Sequence, residues 1–169
     1  MDELDSIKLE LVANQLRAGK TVQVKADGHS MNPLIIKGDL LTIEGINNED
    51  LFPGEVVAFV RRELLFIHRI IEVGRSDGMV LTKGDNLLIS DALLSPEKII
   101  GRVITTNGRS LTAHKWVHRL FFRLYRTCLL TGNRTNLCEK GRIIQLSVSR
   151  FRFRISRVIL SVYRFFVFQ

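Results

Sequence analysis

Between Thr21 and Gly108, six short apolar, β-branched runs are cut apart by turn-forming residues, and this spacing constrains the fold more than any other feature of the chain. The runs are TVQVKA (21–26), LLTIEGI (40–46), EVVAFV (55–60), LLFIHRII (64–71), GMVLTKG (78–84) and IIGRVITT (99–106). Gly38-Asp39, Pro53-Gly54, Ser76-Asp77-Gly78 and Gly84-Asp85-Asn86 stand between them. Glycine supplies positive φ, proline presets the first turn position, and Asp or Asn bonds its own backbone. Runs this short, bounded in this way, are strands rather than helices. The pattern predicts a mainly β fold, a compact antiparallel domain. With 169 residues, 46% of them hydrophobic, the chain can bury a core of its own and carry an appendage.

Helical periodicity flanks this region on both sides. Leu4, Ile7, Leu11 and Leu16, with Leu9 and Val12 beside them, give the leading segment 1–19 an apolar face, and Gly19 is a helix stop. Past Gly108, Val117, Leu120, Phe121, Leu124 and Cys128 share one side of a helical wheel, with Arg119, Arg123 and Arg126 opposite. In a second segment Phe151, Ile155, Ile159, Val162 and Phe166 face away from Arg150, Arg154, Arg157 and Arg164, although RFRFRI alone also fits an alternating strand. Charge divides at the same place: residues 1–108 hold 12 Lys/Arg against 16 Asp/Glu, and residues 109–169 hold 13 against one. The expected organisation is a 1–108 domain, with a leading helix (1–19) and a β core (21–108), followed by a basic amphipathic region, 109–169.

A basic region suits an anionic partner, either nucleic acid or lipid. The many Phe, Leu, Ile and Val side chains of 109–169 favour an anionic membrane surface, which rewards apolar burial as well as charge. Two ordinary helices packed on the β-domain are the alternative. The acidic opening MDELDSIKLELVANQL does not read as a secretory signal. The longest stretch free of Asp, Glu, Lys and Arg, Gly28 to Ile36, has nine residues, far short of the roughly 20 that span a bilayer. The expected location is therefore peripheral on a membrane. Cys128 and Cys138 read as reduced structural thiols, and His114 and His118, four apart but without a third ligand, do not make a metal site. Asn133 in NRT is a glycosylation sequon only if it enters a secretory lumen. No metal and no cofactor is expected.

The chemistry gathers around GHSMNPLIIKGD, residues 28–39. A serine hydroxyl is a weak nucleophile until a base takes its proton and a third group orients that base. Ser30 is flanked by Gly28, which removes bulk where a peptide could approach, and by Pro33, which fixes the chain. Further stretches of the right chemical types follow in order: PGEVVAF (53–59), IHRII (67–71), TKGDN (82–86) and then Asp91.

This array, from about Val22 to Val103, resembles the type I signal peptidases and their relatives, which share a fold with the self-cleaving SOS repressors. Some branches use a lysine base; the archaeal and endoplasmic-reticulum branch uses a histidine followed by Arg, then KGDN and an Asp. The resemblance implies Ser30 as nucleophile, His68 as general base and Asp91 as the residue orienting it, with Asp85 structural or a backup orienter. It implies a serine endopeptidase acting on a peptide or precursor protein, cleaving after small residues. An imidazole titrates near about pH 6.5 and is a free base at neutral pH without burial, whereas an amine must be desolvated first; Lys83, in the KGDN turn, is the weaker candidate.

The sequence departs from the signal-peptidase pattern at Gly28, where those enzymes often place a serine whose hydroxyl helps hold the oxyanion. It departs also in lacking a leading membrane anchor. Other readings are an inactive membrane-docked or nucleic-acid-binding module of the same fold, or a self-cleaving regulator; against the last, about twenty residues precede the first strand.

Overall fold

The computed structural model describes residues 3–46, 51–74, 76–111, 123, 154–155, 157–162 and 164–165. Helix α1 (Glu3–Arg17) is followed by strands β1 (Thr21–Lys25), β2 (Leu40–Gly45), β3 (Val56–Arg61), β4 (Leu64–Val73), β5 (Val80–Lys83), β6 (Ile99–Thr106) and β7 (Arg109–Ser110). All pairings are antiparallel, in the order β1-β2-β6-β3-β4-β5, with β7 paired to β6. Each of the six runs forms a strand, so the fold is mainly antiparallel β with a leading helix and a short C-terminal helix.

The turns form where backbone chemistry demands them. Glu55 N–H donates to Phe52 O across Pro53-Gly54, and Gly54 takes a φ of +102°, a conformation open to glycine. Asn107 and Gly108 both have positive φ, 51° and 76°, as a tight hairpin requires. The chain therefore folds back there into β7 and buries Leu111, carrying the sheet past the residue at which the charge divides.

Both faces of the sheet are covered. One packs Leu41, Ile43, Val56, Ala58, Ile100 and Val103 against Ala13 and Leu16 of α1 and against Met31, Leu34 and Ile35. The other gathers Leu51, Val57, Ile70, Val80 and Ile99. Helix α1 buries only part of the face its periodicity suggests: Leu16 is buried with Ala13 and Val12 packs beside them, while Leu4, Ile7 and Leu11 stay exposed. Two glycines on the sheet decide this. A Cβ on Gly45 would lie 2.0 Å from Leu16 O, and one on Gly101 would lie 3.2 Å from Leu16 Cδ2, so the last turn of α1 seats where the strands carry no side chain.

A buried ion pair ties the sheet to its loops. Arg69 of β4 donates from Nε to Asp85 Oδ1 (2.9 Å), from Nη2 to Asp85 Oδ2 (2.7 Å) and from Nη1 to Gly54 O (2.7 Å). Both side chains are almost wholly out of water. Lys83, directly opposite Arg69 in the β4–β5 register, is 3% exposed. Burial pushes its ammonium down to about 8, with the Asp85 charge pulling the other way.

The described residues at 154–155, 157–162 and 164–165 are helical; residues 150–153, most of the RFRFRI run, lie outside the described residues. Their orientation differs from the wheel. Leu160 is buried, Arg164 turns toward the β-domain, and Ile155, Val158, Val162 and Phe165 are exposed. The first amphipathic segment apart from exposed Arg123, and His114, His118, Cys128, Asn133 and Cys138, lie outside the described residues.

Asp85→Ala leaves a buried guanidinium without its carboxylate and is expected to cost about 3–5 kcal/mol, read as a lowered urea midpoint. Asp5→Ala, from the exposed pair with Lys8 (3.6 Å), should cost under about 1 kcal/mol. The depressed Lys83 gives a pH signature. Below pH 8 the ammonium is charged in folded and unfolded chains alike; between about 8 and its ordinary 10.5 the unfolded chain holds the proton more tightly, so stability rises with pH across that window. The rise should approach about 3 kcal/mol relative to Lys83→Met, which lacks the titrating group.

Candidate active site

The site is built on β4. His68 and Arg69 are neighbours on this strand, so their side chains leave opposite faces of the sheet. His68 sits opposite Val57 and shares its face with Phe66 and Phe59. The imidazole meets both rings edge-on, with centroids 5.7 Å and 5.9 Å away, while the two phenyls stack at 5.6 Å. Aromatic walls of this kind fix the ring plane and keep water from it.

One edge of the ring remains polar. His68 Nδ1 lies 2.6 Å from Asp91 Oδ2, and Thr82 Oγ1 donates to the same oxygen at 2.8 Å. Asp91 N–H donates to Thr82 O (2.9 Å), so the strand that carries Thr82 also fixes the backbone of the carboxylate. Burial raises the Asp91 carboxyl, but the hydrogen bonds from His68 and Thr82, with the charges of His68 and Arg61, outweigh it and hold Asp91 below the ordinary carboxylate range. An ionised carboxylate only accepts, so the hydrogen of this contact belongs to Nδ1, and whenever the ring carries a single proton Nε2 keeps its lone pair.

Ser30 lies half-buried in the turn-rich segment between β1 and β2. Its carbonyl accepts Asn86 N–H at 2.7 Å, and Asn86 Nδ2 donates to His29 O at 3.1 Å. Gly84 makes that approach possible: a Cβ there would stand 2.8 Å from Ser30 O. The serine segment is thus docked on the turn that leaves β5, a few residues from Thr82 and before Asp91. At Gly28 a Cβ would meet nothing nearer than Ser30 N at 4.0 Å, so packing does not demand glycine at that position.

Asp85 takes no part in the His68 pair; it bonds Arg69 on the other face. Lys83, in register with Arg69, likewise leaves the strand on the face opposite Thr82 and His68. Thr82, Gly84 and Asn86 were not singled out in the sequence for these contacts. The TKGDN stretch carried the signal, but only the register of β4 with β5 divides its side chains between the faces. Among the described residues no cluster of three or more His, Cys, Asp and Glu could hold a metal ion.

Known proteins resemble parts of this chain in sequence. Stretches of 73 residues are 36% identical to the signal peptidase complex catalytic subunit SEC11C of Homo sapiens, Canis lupus familiaris and Mus musculus, covering 40% of this chain. The match spans 38% of the length of those relatives. No solved structure matches the chain. Residues 2–104 match the model of one family over more than half of the chain, from α1 through β6, and on that ground the protein belongs to the Peptidase S24-like family.

Proposed function

We propose that this protein is a serine endopeptidase in which Ser30 is the nucleophile, His68 the general base and Asp91 the residue that orients it. The observation that carries the reading is the part-buried His68–Asp91 pair, its 2.6 Å contact backed by Thr82 and its imidazole edge-on to the stacked Phe59 and Phe66. A carboxylate at Nδ1 fixes the tautomer and ring orientation that a general base needs. His68 Nε2 takes the Ser30 Oγ proton as Oγ attacks the scissile carbonyl; the C–N bond breaks, and the amine leaves with that proton. Water then enters and attacks the acyl carbon as His68 takes its proton; the ester C–O bond breaks, the carboxylic acid leaves, and His68 returns the proton to Ser30 Oγ. Asp91 stabilises the imidazolium at both stages and stays ionised throughout. The developing oxyanion needs at least one donor, for which the Ser30 backbone N–H is available.

The family implies peptide substrates. A precursor protein cut after small residues is the finer reading, supported by the likeness to signal peptidase catalytic subunits. We assign region 109–169 to peripheral docking on an anionic membrane. Two exposed surfaces support this: the outward stripe of Val158, Val162 and Phe165, and the loop between Asn86 and Asp91, where Leu88 is 59% and Ile89 81% exposed beside the candidate site. Among the described residues no helix is long and apolar enough to cross a membrane.

Ser30→Ala and His68→Ala should each lower kcat on a cleaved peptide on the order of 10^6-fold, with no further loss in the double variant, and Asp91→Ala on the order of 10^4-fold. In the wild type, kcat/KM should rise from acid pH as the general base loses its proton. A rise centred near 8 would name Lys83 as the base instead. Full activity in Ser30→Ala would end the assignment.

Docking is tested by sedimentation with phosphatidylserine-containing and neutral vesicles. The full chain should bind the anionic vesicles and be only partly released by salt, because apolar burial is not screened as charge is. Val158→Ser/Val162→Ser/Phe165→Ser should bind at least about tenfold more weakly. Equal binding of the two proteins would remove the stripe from the docking surface.

A further inference from the structure

One arginine of the C-terminal helical stretch does not behave as part of a solvated basic face. Arg164 Nη1 donates to Pro33 O at 2.5 Å and to Leu34 O at 3.0 Å, and its Nη2 stands 4.0 Å from Asp39 Oδ2. Asp39 is itself buried; its Oδ2 accepts Ile36 N–H (2.9 Å) and its Oδ1 accepts Asn107 Nδ2 (2.9 Å). Leu160, one helical turn before Arg164 and therefore on the same side of the helix, is 4% exposed.

These contacts converge on the segment that carries Ser30. Its front end is held by the Asn86 bonds to Ser30 O and His29 O. Behind Ser30, Ile35 N–H donates to Met31 O (3.0 Å), and Met31, Leu34 and Ile35 are buried under the sheet. The Pro33 and Leu34 carbonyls have their donor in Arg164, which comes from the far end of the chain. A guanidinium suits this task, because its planar donors can bind two adjacent carbonyls while its charge answers a buried carboxylate.

We propose that Arg164 is a positioning residue for Ser30: by holding the Pro33 and Leu34 carbonyls and facing Asp39, it sets the segment from which the serine hydroxyl is presented to His68. The inference rests on Ser30 as the nucleophile. It gives the C-terminal helix a part in the site, distinct from any contact it makes with lipid. Arg164 acts through the backbone and does not touch substrate, so its loss falls on the chemical step rather than on substrate binding. A displacement of about 1 Å at a reacting group can cost about 100-fold in rate.

The test uses the full chain and a cleaved peptide. Arg164→Ala should lower kcat at least tenfold, with KM within twofold and near-ultraviolet circular dichroism unchanged, and millimolar guanidinium ion should restore kcat at least threefold in this variant but not in Ser30→Ala. Wild-type kcat in Arg164→Ala, a loss carried by KM, or no recovery with guanidinium overturns the proposal. Should Arg164→Ala not fold, Arg164→Lys gives the same reading: lowered kcat at unchanged KM supports it, and wild-type kcat overturns it. If the wild type cleaves no peptide, the peptidase reading fails separately, and hydrogen exchange decides about Arg164. Amides of Ile35, Ile36 and Asp39 exchanging at least tenfold faster in the variant, and slowed by guanidinium, uphold the clamp; unchanged exchange removes it.

Discussion

His68 and Arg69 are consecutive residues of β4, and because consecutive side chains of a strand leave opposite faces, each takes a different carboxylate from the stretch that follows β5. Arg69 binds Asp85 on one face, and His68 binds Asp91 on the other. The seven residues from Asp85 to Asp91 are thereby clasped around the sheet edge from both sides. Everything else about the site depends on this clasp: the Gly84–Asn86 turn on which the Ser30 backbone docks lies within or beside the clasped stretch. The two halves of the clasp are chemically unlike. The Arg69–Asp85 pair is bidentate and sealed, where opening it would strand a charge. The His68–Asp91 pair is walled by phenyl rings but keeps its second ring nitrogen for other work.

The same segment is gripped from outside the sheet as well. Pro33, Leu34 and Asp39 face Arg164, so the acidic β-domain and the basic C-terminal region meet where one contributes carbonyls and a buried carboxylate and the other a guanidinium. With Arg164 and Leu160 turned inward, the apolar side of that helix is presented outward. An exposed stripe of this size on a helix held to a folded domain marks a contact surface. In the proposed membrane docking, this stripe meets lipid while Arg164 keeps its hold on the serine segment.

Much of the fold was legible because strands announce themselves locally. Alternation and turn residues are nearest-neighbour properties, and all six runs between Thr21 and Thr106 form strands. The orientation of α1 was not legible in this way. Of the apolar face its sequence offers, only Leu16, with Val12 beside it, packs on the sheet together with Ala13, and Gly45 and Gly101, which lie far along the chain, make room for Leu16. The wheel of the last segment separated Arg164 from Ile155 and Val162 but could not tell what Arg164 would meet: carbonyl oxygens and a carboxylate rather than water.

By itself, the sequence determined the strands, their turns and the residue types able to do acyl-transfer chemistry, since Ser30, His68 and Asp91 stand in motifs whose order carries the family resemblance. Spacing along the chain contains no distances, so it could not tell which of two nearby carboxylates would meet the imidazole. The antiparallel register of β4 with β5 decided that, sending Lys83 to the face of Arg69 and Thr82 to the face of His68. Tertiary structure likewise decided the role of the glycines at 45, 84 and 101, where another strand, loop or helix comes closer than a Cβ allows. Contacts between residues more than a hundred positions apart, such as Arg164 with Pro33, arise only when the whole chain has closed on itself.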